Sequence, residues 1–284
     1  MDYRIDEDLL LIRQMLEISQ EEIASFVGLD QKTISRIENH ENIPFNESME
    51  KIYDFAYRKG IKLNKIKEYY YKENNPNQKI IFHGSKLGIK GNISPHYGRL
   101  TNDFGKGFYC GESMEQSISY VAKFPKSSNY IICFDESNEL KRAVFNVDLE
   151  WMLAVAYFRE RIDDYKYHPL IKKIIKKVTD ADYINAPIAD NRVFKNIDRF
   201  IDGEITDVQC KHCLAATNLG NQYVFLTEKA TSHLTILEKC FIPKSERDHY
   251  LSMKENDLID SDNKVKFAVV KYKRQGKYIE EILK

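Results

Sequence analysis

The chain has 284 residues, 43% of them hydrophobic and 30% charged, and its 43 Lys+Arg balance 43 Asp+Glu. That apolar content is enough for one or two buried cores and excludes a largely disordered chain, while the zero net charge argues against a general polyanion binder. No run approaches the roughly 18 apolar residues of a membrane span, and the acidic start Met1–Asp8 is no basic leader, so a cytoplasmic protein without a membrane partner is expected. Five cysteines are scattered along the chain, and Cys210-Lys211-His212-Cys213 has no second ligand pair at zinc spacing. Reduced thiols and no metal are expected.

Leu9, Ile12 and Leu16 recur at helical spacing. Ser19 with Glu22 reads as a capping box, and Ile23, Ala24 and Val27 as the buried stripe of a short helix closed by Gly28. Asp30 caps the next helix, with Ile34 and Ile37 inside, and Ile52, Phe55 and Ala56 line a further one. Two short helices joined by a tight turn inside a small bundle describe a helix-turn-helix domain. Ser19–Ala24, Gly28 and Thr33–Glu38 resemble the Cro/Xre-type repressor domain. The resemblance implies that Gln31, Lys32 and Thr33 meet base edges of an operator DNA, with Gln20 and Arg36 near phosphate. Residues 1–75 carry a net charge of −4 and the remainder +4, so few cations are available for phosphate. Operator binding and a protein-docking role both stay open.

The polar stretch Lys72–Gln78, with one proline and three asparagines, divides helical from strand patterning. The expected organisation is a helix-turn-helix domain at 1–72, a linker at 73–78 and a mixed domain at 79–284. In that last part, strands are predicted at Ile80–Phe82, around Phe108–Cys110, at Asn129–Phe134, Ala143–Val147, Gln222–Thr227, Leu234–Ile242 and Lys264–Tyr272. Tyr183–Ile188 reads as strand or loop. Helices are predicted after Ser113, at Leu149–Arg159 and Leu170–Val178, and near Arg192–Ile201. The mixture implies an α+β domain with two packed sheets.

His83-Gly84-Ser85, then Phe104-Gly105-Lys106-Gly107-Phe108-Tyr109, then Ser117–Tyr120 follow in an order that resembles the diphtheria-toxin and poly(ADP-ribose) polymerase branch of the ADP-ribosyltransferases. Pro187–Val193 and Gln222–Ala230 resemble a bacterial group of that fold found beside or fused to helix-turn-helix domains. Taken singly, His83 would be a structural histidine, Gly105 and Gly107 a turn, and the two tyrosines core aromatics; order and spacing together favour a site for NAD.

The resemblance implies that NAD is split, nicotinamide is released, and ADP-ribose passes to a macromolecular acceptor. Tyr109 and Tyr120 would clamp the flat leaving group. Gly84 would offer its backbone to the carboxamide, with Ser85 beside it and Ser117 adding a hydroxyl. His83 would hold the adenosine ribose, and Arg99 is the candidate for pyrophosphate. Relatives place a glutamate where this chain has Gln222, which keeps an acceptor but loses the charge that would steady an oxocarbenium-like state. Asp190 and Glu228 are the substitute carboxylates, although Asp190 equally fits a helix N-cap. Mono-ADP-ribosylation is therefore expected over chain building. Such a fusion implies a toxin or anti-phage effector with an antitoxin or inhibitor partner. The alternatives are a transcription regulator that senses NAD or ADP-ribose without chemistry, and an NAD glycohydrolase. Ile171–Lys177 is amphipathic, with its four lysines read as a solvated face or, alternatively, as a groove for nucleic acid or a partner.

Overall fold

The computed structural model describes residues 2–42, 44–215 and 220–284, the side chains of 257–260 excepted. Five helices come first: α1 (Ile5–Leu16), α2 (Gln20–Val27), α3 (Gln31–Glu38), α4 (Asn46–Arg58) and α5 (Leu63–Asn74). Their boundaries follow local chemistry. Ser19 Oγ accepts from Glu22 N at 3.1 Å while the Glu22 carboxylate accepts from Ser19 N at 2.7 Å, so two orphan amides at the start of α2 are satisfied together. Gly28 ends α2 in the left-handed region at φ +65°, and Asp30 Oδ1 caps α3 by accepting from Thr33 N at 2.8 Å. Of the predicted stripes, Leu9, Ile12, Ile23, Ala24, Val27, Ile34, Ile37, Ile52 and Ala56 are buried, while Leu16 and Phe55 are half-buried against the same core.

The rest of the chain comprises β1 (Lys79–Ser85), β2 (Phe108–Gly111), α6 (Met114–Val121), β3 (Ser128–Phe134), β4 (Arg142–Val144), α7 (Leu149–Phe158), α8 (Pro169–Thr179), β5 (Tyr183–Pro187), α9 (Asn191–Ile201), α10 (Asp207–Ala215), β6 (Asn221–Phe225), α11 (Glu228–Thr231), β7 (Leu234–Phe241), α12 (Lys244–Lys271) and α13 (Ile279–Ile282). The described strands form one seven-stranded mixed sheet in the order β4-β5-β6-β2-β1-β3-β7, where two packed sheets were expected. Alternating apolar residues define strands but not their partners. What covers β4–β6 is helix: α7 buries Trp151, Met152, Leu153, Ala154, Val155 and Ala156 in succession, the mark of a helix enclosed all round. Lys264–Tyr272 also differs from its predicted strand: Lys264–Lys271 is the end of α12, and Tyr272 follows it in a turn. Its β-branched Val265, Val269 and Val270 suggested a strand, but Val265, Ala268, Val269 and Tyr272 recur at helical spacing.

The chain groups into two compact units, Met1–Ile89 with Ser113–Cys133 and Ile236–Met253, and Lys90–Glu112 with Phe134–Thr235 and Lys254–Lys284. In the first unit the five N-terminal helices share a core with the end of β7. Phe241 lies among their apolar residues, and its ring stacks on Tyr53 at 5.0 Å. A polar cluster is buried beside it. Lys67 donates to Asp8 at 2.6 Å and to Glu238, Tyr53 donates to Asp8 at 2.6 Å, and Tyr71 donates to Glu238 at 2.9 Å. Burial alone would lower the Lys67 pKa, but its surroundings, Asp8 and Glu238 among them, raise it. In the second unit the core gathers α7, α8, α9 and the inner face of β4–β6 around Trp151 and Phe200.

Candidate functional site

In the first unit β1 carries His83, Gly84 and Ser85, and α6 packs against it with Ser117 and Tyr120. The glycine is a steric requirement. A Cβ at position 84 would stand 2.3 Å from the Ser117 carbonyl oxygen and 3.0 Å from Val121 Cγ1, so α6 can approach the strand this closely only over a bare backbone. Ser117 is buried, and its hydroxyl donates to Met114 O at 3.0 Å within its own helix. With that proton committed, Ser117 can offer a ligand only an acceptor lone pair. Tyr120 is 60% exposed, an aromatic face available for stacking. His83 is half-buried, its ring centroid 6.5 Å from that of Tyr130. The Tyr130 hydroxyl accepts from Ile89 N at 2.9 Å and so holds the turn that leaves β1.

In the second unit Tyr109 lies on β2, which pairs antiparallel with β6 so that Tyr109 faces Val224 and Gly111 faces Gln222. Side chains two apart on a strand share a face, as do directly opposed residues, so Tyr109 and Gln222 stand on one sheet face as diagonal neighbours. The Tyr109 hydroxyl donates to Gly105 O at 2.8 Å and accepts from Phe104 N at 3.2 Å, which fixes the loop before it. That loop needs its glycines: Gly105 has φ +74°, and a Cβ on Gly107 would meet Val224 Cγ1 at 2.9 Å.

Gln222 is buried and donates to Asp103 Oδ2 at 2.8 Å and to Pro187 O at 3.0 Å. Both amide protons are thereby committed, and the group it has left to offer is the acceptor Oε1. Asp103 also accepts from Ala189 N at 3.0 Å and from Arg159 Nε at 3.1 Å. Asp103 and Arg159 are residues that sequence reasoning missed. An aspartate ahead of a glycine turn forms no motif, and its arginine lies 56 positions away. The substitute carboxylates are otherwise engaged. Asp190 Oδ1 caps α9 by accepting from Arg192 N at 3.0 Å and Val193 N at 2.9 Å, while Glu228 accepts from Ser94 Oγ at 2.7 Å. Arg99 is exposed on the loop after the turn Pro95–Tyr97.

A family described as a protein of unknown function (DUF3990) matches residues 79–236, more than half the chain. The chain belongs to the DUF3990 family. A helix-turn-helix family matches residues 9–52, ahead of the DUF3990 region. Neither a curated protein nor a solved structure matches the chain. No helix among the described residues is long and apolar enough to cross a membrane.

Upstream of the DUF3990 region, α2 and α3 are the two helices of the helix-turn-helix, and the candidate DNA contacts divide into two sets. Gln31, Lys32 and Arg36 are exposed on α3. Gln20 and Thr33 are half-buried and engaged within the domain; Gln31 and Arg36 also have partners there, Gln31 donating to Gln20 Oε1 at 3.4 Å and Arg36 pairing with Glu41 at 3.7 Å. Gln20 donates to Glu38 at 2.7 Å and Thr33 Oγ1 donates to Asp30 at 2.7 Å. Arg13 forks onto Glu38 at 2.6 and 3.0 Å, a bidentate pair tying α1 to α3. Burial pushes the Glu38 carboxyl up, but the hydrogen bonds from Arg13 and Gln20 outweigh it and hold the pKa below the ordinary value.

Proposed function

We propose that the chain is an NAD-dependent mono-ADP-ribosyltransferase acting on a macromolecule, with a helix-turn-helix domain that binds DNA or targets the enzyme. The observation that carries this reading is the bare backbone of Gly84 beneath α6. It lets α6 pack directly on β1, which sets the helix that bears the exposed Tyr120 against the strand that bears His83. His83, Gly84, Ser85, Ser117 and Tyr120 bind NAD in this reading, and Tyr109 and Arg99 carry the aromatic and pyrophosphate roles that the resemblance implies. Gln222, with its amide protons held by Asp103 and Pro187, presents Oε1 to a ribose hydroxyl. Bond cleavage releases nicotinamide and leaves an oxocarbenium-like sugar for the acceptor nucleophile to attack.

One observation favours a second reading, in which the domain senses NAD or ADP-ribose without chemistry. The carboxylate nearest Gln222 is Asp103, and Arg159 neutralises it, so the position lacks net negative charge for a developing cation. Nicotinamide release by the wild type and by Gln222→Glu separates the two readings. Slow release that rises about tenfold or more with Gln222→Glu supports the transferase. Tight NAD binding with no release from either protein supports the sensor.

A further inference from the structure

The face formed by α10 and the C-terminal half of α12 takes no part in either candidate site. From Lys264 to Lys277 the sequence carries six Lys or Arg and no Asp or Glu, in a chain whose total charge is zero. All six cations are exposed, and no ion pair among the described residues involves them. Aromatic surface stands between them. Phe267 is 66% exposed, and the rings of His212 and Tyr272 stack at 3.6 Å with 2° between their planes. His212, Lys264, Phe267, Lys271 and Tyr272 border an open cleft of about 460 Å³, a size that holds a nucleoside-scale group.

The face is built on a fixed platform. Gln209 donates to Val269 O at 2.7 Å, and Lys277 N donates to Asp207 Oδ1 at 2.7 Å while Asp207 N donates back to Lys277 O at 3.0 Å. Gly276, at φ +86°, allows the return: a Cβ there would stand 2.3 Å from Asp207 Oδ1. The end of α12 and the strand of cations that follows are thus laced to α10, and little ordering is needed before a ligand binds.

A row of exposed cations fits an extended polyanion rather than a single anion. The aromatics narrow the choice. The exposed Phe267 ring and the half-buried His212–Tyr272 pair, set among lysines, match bases alternating with phosphates, provided the bases are unstacked from a duplex. An anionic membrane would call for a continuous apolar stripe, and here Lys264, Lys266 and Lys271 interrupt it. We propose that this face binds single-stranded nucleic acid, with a base against Phe267 and the His212–Tyr272 pair, and phosphates along Lys264, Lys266, Lys271, Lys273, Arg274 and Lys277. The proposal is independent of NAD chemistry and uses a surface in the other unit from the helix-turn-helix.

Fluorescence anisotropy of labelled single-stranded DNA, the RNA of the same sequence and the corresponding duplex, titrated with the full chain over a salt series, tests it. Either single strand should bind, and the preferred one names the ligand. Phe267→Ala should weaken that binding about tenfold while Phe267→Trp retains it, since stacking is indifferent to which aromatic supplies the ring. Lys264→Gln and Lys271→Gln should each reduce the salt slope by roughly 0.7. Arg36→Ala, on the helix-turn-helix, should leave single-strand binding unchanged. All five substitutions fall on four exposed side chains, and unchanged thermal melts verify folding. The proposal is overturned if neither strand binds at low salt, if Phe267→Ala binds as well as the wild type, if only Arg36→Ala abolishes binding, or if phosphatidylserine vesicles bind and oligonucleotides do not.

Discussion

Each unit buries a cation against carboxylate, and the two networks end differently. In the first, Lys67 is enclosed by Asp8 and Glu238; Tyr53 donates to the same Asp8 oxygen as Lys67, and Tyr71 to the other oxygen of Glu238, so the cluster ties α1, α4, α5 and β7 together. In the second, Arg159 meets Asp103, Asp103 meets Gln222, and Gln222 ends the chain on the same sheet face as Tyr109 with an acceptor unspent. Burial of charge is common to both, so it does not mark function. The mark is a terminal side chain, held from behind, that still has something to offer.

The largest expected effect is on the closed network. Lys67→Met leaves two buried carboxylates without a cation and should cost about 3–5 kcal/mol, read as a fall in the urea midpoint. Asp103→Asn should cost about 1–3 kcal/mol and also free the Gln222 amide to turn, so nicotinamide release per folded molecule should fall. If Lys67→Met lowered release per folded molecule as much as Asp103→Asn did, the distinction between the networks would fail.

Glu246, buried at the start of α12 and accepting from Asn64 at 2.6 Å, has its pKa raised to about 7 by burial. A folded-state value above the unfolded one means that the folded protein holds the proton more tightly. The stabilisation is therefore full below about pH 4 and is lost as pH rises toward and through 7, by about 3 kcal/mol in all. Urea midpoints between pH 5 and 8 should decline in the wild type and flatten in Glu246→Gln. Smallest is Ser19→Ala, which breaks the α2 capping box and should cost about 1 kcal/mol in the same assay.

What the sequence disclosed follows the distance over which its signals act. Ser19, Glu22, Gly28 and Asp30 announce α2 and α3 because caps bond within three or four residues. His83-Gly84 was legible as a motif, and the close approach of α6 supplies its reason. The pairings Asp103–Gln222 and Lys67–Glu238 span 119 and 171 positions, and no local pattern reports them. The single sheet was hidden likewise, since strand partners are chosen by tertiary packing. The end of α12 was misread because its valines favour a strand when taken singly and a helix when their spacing is followed.

The most direct measurement is transfer of label from adenylate-labelled NAD to a bacterial lysate, with nicotinamide release followed alongside, for the wild type and His83→Ala. The account predicts macromolecular label and nicotinamide from the wild type and neither from His83→Ala at an unchanged melting temperature. Absence of nicotinamide from the wild type, or equal release from the two proteins, would contradict it.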